Sequence, residues 1–146
     1  MYNTILVPLD GSKRAEAILP QVEELAQQCN AKVVLVQVLD PIPVVTSLDG
    51  TTLAVDPLTI ERMEKKAEEY LVSREGALHE KGIQAETHLT CGEVVPTILE
   101  TAQREDADLI ALASHGRSGL SRALFGSVAA GILQEADRPL LVVRSS

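Results

Sequence analysis

The stretch Ile110 Ala111 Leu112 Ala113 Ser114 His115 Gly116 Arg117 Ser118 Gly119 Leu120 Ser121 Arg122 Ala123 Leu124 Phe125 Gly126 Ser127 Val128 decides the fold. Together with Asp108 and Leu109, its first residues form an apolar run suited to a strand covered on both faces. The run stops at small residues, and Gly126 and Ser127 then open a helix. Backbone N–H groups at a glycine turn and at a helix N-terminus carry partial positive charge and admit close approach. Such a pair suits a phosphate chain.

Outward from this stretch the same alternation recurs. Residues 4–9 and 31–39 are further continuous apolar strands, while 84–90 alternates and suits a sheet edge. A last strand is expected over 139–143. Between the strands lie helical patterns. Ala15, Ile18, Leu19, Val22, Leu25 and Ala26 share a face, with Ser12 as the expected cap and Pro20 expected to kink the helix. Asp56 and Pro57 start a long helix ending near Gly82, with Ile60, Met63, Ala67, Tyr70, Leu71 and Leu78 as its buried stripe. Gly92 and Glu93 lead into a third helix, which tolerates Pro96 in its first turn, and a fourth runs from about Ser127 to Ala136. Residues 40–55 carry turn signals without a period and are expected to form an irregular loop.

The order βαβαβαβαβ, with crossovers long enough for helices, predicts an α/β fold of one doubly wound domain over residues 1–146. Its five strands are mainly parallel, in the order 3-2-1-4-5, with helices on both faces, as in Rossmann-like proteins. In that order the chain reverses between strands 1 and 4. Asp10, after strand 1, and residues 113–116, after strand 4, then meet at one crevice.

Composition narrows the function classes. The net charge of -8 and the scarcity of aromatic residues (Tyr2, Tyr70, Phe125) disfavour nucleic acid and anionic membrane surfaces. No apolar run spans a bilayer and no signal-peptide pattern begins the sequence, so a cytoplasmic protein without membrane insertion is expected. Cys29 and Cys91 lie outside any zinc or disulfide pattern and are expected to be buried or half-buried thiols. Neither a P-loop GxxxxGK[ST] nor a GxGxxG is present.

The spacing at the opening stretch carries a resemblance. Ala113 Ser114 His115 Gly116, nine residues and Gly126 Ser127 follow the pattern G-x2-G-x9-G-[ST], with alanine for the first glycine. Val7 Pro8 Leu9 Asp10 Gly11 Ser12, Val36 Gln37 Val38 Leu39 Asp40 and Arg138 Pro139 Leu140 Leu141 Val142 Val143 also match, so the whole chain resembles the universal stress protein family, in its ATP-binding branch. The resemblance implies ATP, or AMP or ADP, with a divalent cation such as magnesium held through the phosphates. It puts adenine near the main chain of Pro8, Leu9 and Val38, with Asp10 beside adenine and ribose. Ribose and α-phosphate then lie over Ala113, His115 and Gly116, and the outer phosphates against Gly116, Arg117, Gly126, Ser127 and Val128. It also implies a homodimer paired through Pro139 to Val143 and a regulatory role toward a partner such as a transporter.

Plainer roles stand beside these. Asp10 can cap its own turn, His115 can fix the turn after strand 4, Arg117 and Arg122 can be solvated, and Ser127 can simply start a helix. No general base, carboxylate pair or Ser-His-Asp set stands beside the cradle, so at most slow ATP hydrolysis is expected. The competing functions are a slow ATP hydrolase and an interaction module that no longer binds nucleotide.

Overall fold

The computed structural model describes residues 1–40, 45–46, 52–53, 56–115 and 126–145. Strand β1 (Thr4–Pro8) is followed by one turn of 3₁₀ helix, Ala15–Ile18, and by α1 (Leu19–Cys29). Then come β2 (Lys32–Leu39), the two-residue strands β3 (Val45–Thr46) and β4 (Thr52–Leu53), and α2 (Pro57–Glu80). The chain continues through β5 (Ala85–Cys91), α3 (Val94–Arg104), β6 (Leu109–His115), α4 (Gly126–Glu135) and β7 (Leu140–Ser145).

Five strands form one sheet in the order β5-β2-β1-β6-β7, every neighbouring pair parallel. Counted along the chain this is the expected 3-2-1-4-5. The continuous apolar runs exist because alternate residues feed opposite faces. Ile5, Val7, Val33, Leu35, Leu109 and Ala111 pack with Leu19, Val22 and Ala26 of α1 and with Leu71 and Leu78 of α2. Leu6, Val34, Val36, Ile110 and Leu112 pack with Ile98 and Ala102 of α3 and with Ala129 and Ile132 of α4. Helices therefore cover both faces, and the carboxyl ends of β1, β2 and β6 share one rim.

Several expectations change. Pro20 kinks nothing, because the segment divides before it: the 3₁₀ turn ends at Ile18 and Pro20 sits in the first turn of α1, where its missing N–H costs no hydrogen bond. Residues 40–55 are not wholly irregular, since β3 and β4 pair antiparallel. Met63 is exposed rather than part of the α2 stripe, whose buried members are Ala67, Leu71 and Leu78. Cys29 is half-buried as expected, but Cys91 is exposed, being the last residue of β5, which among the described residues pairs with β2 alone. Asp56 caps α2 as anticipated, its carboxylate accepting the Leu58 N–H at 2.9 Å.

Two side chains fasten the sheet. Asp108, just before β6, accepts the N–H groups of Asn3 and Thr4 at 2.8 and 3.1 Å and so sets the start of β1. Arg138 Nη1 donates to the carbonyls of Ala102 and Ala107 at 3.1 and 2.7 Å, tying the entry of β7 to the turn between α3 and β6.

Candidate nucleotide site

A cavity of about 640 Å³ opens where β1, β2 and β6 end. Its floor is Pro8, Leu9 and Asp10 from β1 and the residues after it, Val36 and Val38 from β2, and Leu112 and Ala113 from β6. Gly126, Ser127, Val128 and Ala129, the first turn of α4, form one wall, and Val94 and Ile98 of α3 contribute beside them. Ser12, Arg14, Ala15 and Asp40 complete the rim. The volume falls within the range of about 300–1,000 Å³ usual for small-ligand sites.

The position follows from topology. At the reversal of strand order the chain passes from β1 to a helix on one face and from β6 to a helix on the other, and ligands of such sheets bind beyond the carboxyl ends of the strands there. Of the candidate residues read from the sequence, Pro8, Leu9, Asp10, Val38, Ala113, Gly126, Ser127 and Val128 all line this cavity. His115 closes β6, opposite Ser145 of β7. Gly116 and Arg117, together with Arg122, lie outside the described residues.

The Asp10 turn is internally bonded. Asp10 Oδ1 accepts the Ser12 N–H at 2.9 Å and the Ser12 hydroxyl at 2.6 Å, while Ser12 Oγ accepts the Ala15 N–H at 3.2 Å. Gly11 has a φ of +88°, the conformation that lets the chain leave β1 so abruptly. Ser12 thus reaches the first N–H of the 3₁₀ turn but does not cap α1, whose N-cap is Ile18 without a side-chain bond, and the turn-capping role of Asp10 coexists with a place in the cavity lining.

Two further features bear on an anionic ligand. Gly126 opens α4 with a φ of +68°, so an L side chain there would be strained, and the ten-residue helix presents its N-terminal N–H groups beside the cavity. Ala113 pairs with Val143 inside the parallel ladder, and among the described residues only Asn30 and Asp106 are non-glycine residues at positive φ. The methyl of Ala113 therefore stands on ordinary strand backbone and carries no strain.

Arg14 and Asp40 were not singled out from the sequence, though both were within reach. Asp40 follows β2 just as Asp10 follows β1, and Arg14 follows the Asp10-Gly11-Ser12 turn. The rule that ligands sit beyond the carboxyl ends of strands at the reversal applies to both. No helix among the described residues is long and apolar enough to cross a membrane.

Comparison with known proteins agrees with this architecture. The model of the universal stress protein family matches residues 1–144. Universal stress protein YxiE of Bacillus subtilis is 32% identical over 148 residues, covering 99% of this chain and 100% of the relative. Universal stress protein MJ0531 of Methanocaldococcus jannaschii is 30% identical, covering 99% of this chain and 83% of the relative. Among solved structures, a protein of this family from Burkholderia pseudomallei superposes with a TM-score of 0.76 at 25% identity, over 97% of this chain and 96% of that one. The Archaeoglobus fulgidus universal stress protein in complex with dAMP superposes with a TM-score of 0.66 at 26% identity, over 97% of each chain. Matched from end to end in sequence and alike in sheet order, this chain belongs to the universal stress protein family.

Proposed function

We propose that the cavity at the ends of β1, β2 and β6 holds an adenine nucleotide, ATP in the first place, and that the chain acts as a nucleotide-dependent regulatory protein in one domain. The observation that carries this reading is the meeting of the Asp10 turn, Val38, Ala113 and the Gly126-Ser127 helix start around one cavity of nucleotide size. The Archaeoglobus relative with bound dAMP supports the class of ligand.

In this reading the purine lies against Pro8, Leu9 and Val38, and Asp10 faces the adenine and ribose. The phosphates meet the first N–H groups of α4, with Ser127 adding its hydroxyl and Gly116 and Arg117 as further proposed contacts. Local donors must do this work, because the chain as a whole is acidic and two of the cavity's charged lining residues, Asp10 and Asp40, are carboxylates. The backbone N–H groups of a helix N-terminus supply favourable potential without a full positive charge. A divalent cation such as magnesium enters with the phosphates and neutralises part of their charge. The protein signals in the cytoplasm through nucleotide-dependent shape or assembly, toward a partner such as a transporter.

The free edge of β7 supports a homodimer. Among the described residues this strand pairs with β6 alone, and Leu140, Leu141, Val142 and Val143 are half-buried. An apolar edge is an aggregation hazard that pairing with a twin strand across a two-fold axis removes.

The test is what the purified protein carries and does. Purified without added nucleotide, it is expected to show excess absorbance at 260 nm and to release an adenine nucleotide on denaturation. Apo protein that fails to bind added ATP, AMP or ADP at millimolar concentration contradicts the proposal. Turnover well above one ATP per minute, abolished by Asp10→Ala, contradicts the regulatory reading in favour of an enzyme.

A further inference from the structure

On edge strand β5 and at the end of α3, outside the residues that line the cavity, the described residues hold a second constellation. Glu86 and His88 alternate on β5 and so project from the same face, their backbone partners on β2 being Val34 and Val36. Glu105 follows α3 directly, on the helix that covers this face. One ligand atom from each of Glu86, His88 and Glu105 lies within 4.8 Å of the others. His88 Nε2 stands 3.7 Å from Glu86 Oε1 and 3.6 Å from Glu105 Oε2, beyond hydrogen-bond distance. That nitrogen is itself buried and has no hydrogen-bond partner.

A buried ring nitrogen facing two carboxylate oxygens that it does not bond is an incomplete arrangement. Zinc supplies what is missing. Ligands at zinc's usual bond lengths, in tetrahedral geometry, are spaced about 3.4 Å apart, a few tenths of an ångström less than the two separations here. One imidazole and two carboxylates suit zinc better than magnesium, which prefers six oxygens in octahedral geometry.

Lys32 occupies the competing role. Its Nζ lies 3.2 Å from Glu86 Oε1 and 4.0 Å from Glu105 Oε1. An ammonium on a flexible stem, with the side chain 27% exposed, can turn out to water when a divalent ion arrives. We propose that Glu86, His88 and Glu105 form a zinc site with water in the fourth position, and that Lys32 is the built-in cation that zinc displaces. The ion clamps edge strand β5 to the end of α3.

Isothermal titration of the intact, nucleotide-free chain with zinc tests this. One zinc per chain is expected. His88→Ala and Glu105→Gln weaken binding by at least about tenfold, the loss usual when even a supporting group of a metal site is removed. Lys32→Met tightens it severalfold, the opposite direction, and a Cys29→Ser, Cys91→Ser variant binds as the wild type does. Far-ultraviolet circular dichroism checks that each variant is folded, and if His88→Ala is not, Glu105→Gln and Lys32→Met carry the test. Absence of zinc binding, unchanged affinity in the folded ligand variants, weakening by Lys32→Met, or loss of binding with the cysteines overturns the proposal.

Discussion

Asp10 bonds its own turn and lines the cavity with the same carboxylate, so the two roles must be separated by chemistry. Asp10→Asn keeps an oxygen to accept from Ser12 but removes the charge, whereas Asp10→Ala removes both. Urea unfolding is expected to leave Asp10→Asn within about 0.5 kcal/mol of wild type and to show a loss of about 1 kcal/mol for Asp10→Ala. Both are expected to bind ATP more weakly; undiminished binding by Asp10→Ala would reduce Asp10 to a turn residue. Tyr70 makes a different prediction. Its hydroxyl donates to Glu16 Oε2 at 2.5 Å, and burial first, then that bond and the Glu16 charge, hold the phenol well above its ordinary pKa. A raised pKa in the folded state means that this contribution is intact below the unfolded value of about 10 and is lost as pH rises beyond it. Thermal melts of Tyr70→Phe are therefore expected to decline less than wild type above about pH 10. A steeper decline contradicts this. Asp10 was legible in the sequence as the polar residue ending an apolar run. So was its capping of its own turn, but the approach of Arg14 to the cavity was not, because Arg14 precedes a 3₁₀ turn that helical spacing cannot distinguish from a full helix.

Elements were legible where burial imposed a pattern. The runs 4–9 and 31–39 announced strands covered twice, and Asp56-Pro57 ahead of a helical period announced the start of α2, as N-cap and first helical residue. The interruption before α1 escaped because one face of apolar residues runs through Ile18 and Leu19 without a gap, and the β3–β4 pair escaped because two-residue strands leave no period. Interhelical fit was invisible as well. A Cβ added at Gly131 of α4 would lie 2.8 Å from Val95 Cγ2 of α3, closer than packed carbons approach. Gly131→Val is expected to cost about 1–3 kcal/mol by urea unfolding, and a neutral result would show that α3 and α4 can separate freely. Arg138 tests the seam between α3, β6 and β7. Arg138→Met removes both charge-assisted hydrogen bonds, and a loss of about 1.5–3 kcal/mol is expected from the same measurement. A loss below about 0.5 kcal/mol would mean that water replaces the guanidinium without penalty.

For the whole molecule, the strand order could be deduced because parallel strands need crossovers and crossovers have one hand, leaving few arrangements of five. That order brings residues a hundred positions apart to one rim and leaves β5 and β7 as edges. The edges carry different chemistry. β5 offers charged side chains, while β7 offers half-buried aliphatic ones, so β7 is the edge to which the proposed self-association is assigned. Light scattering at micromolar concentration is expected to return twice the mass of the chain, and a monomer contradicts the proposed pairing. Phosphate binding is proposed at the α4 N-terminus, where Gly126 at a φ of +68° opens the helix beside the cavity. Equilibrium binding of labelled ATP to wild type and to folded Gly126→Asp, which adds a strained side chain and a negative charge where phosphate is expected, tests it most directly. Saturable binding by the wild type and loss of binding in the variant are expected; equal binding by both would refute the proposed phosphate site.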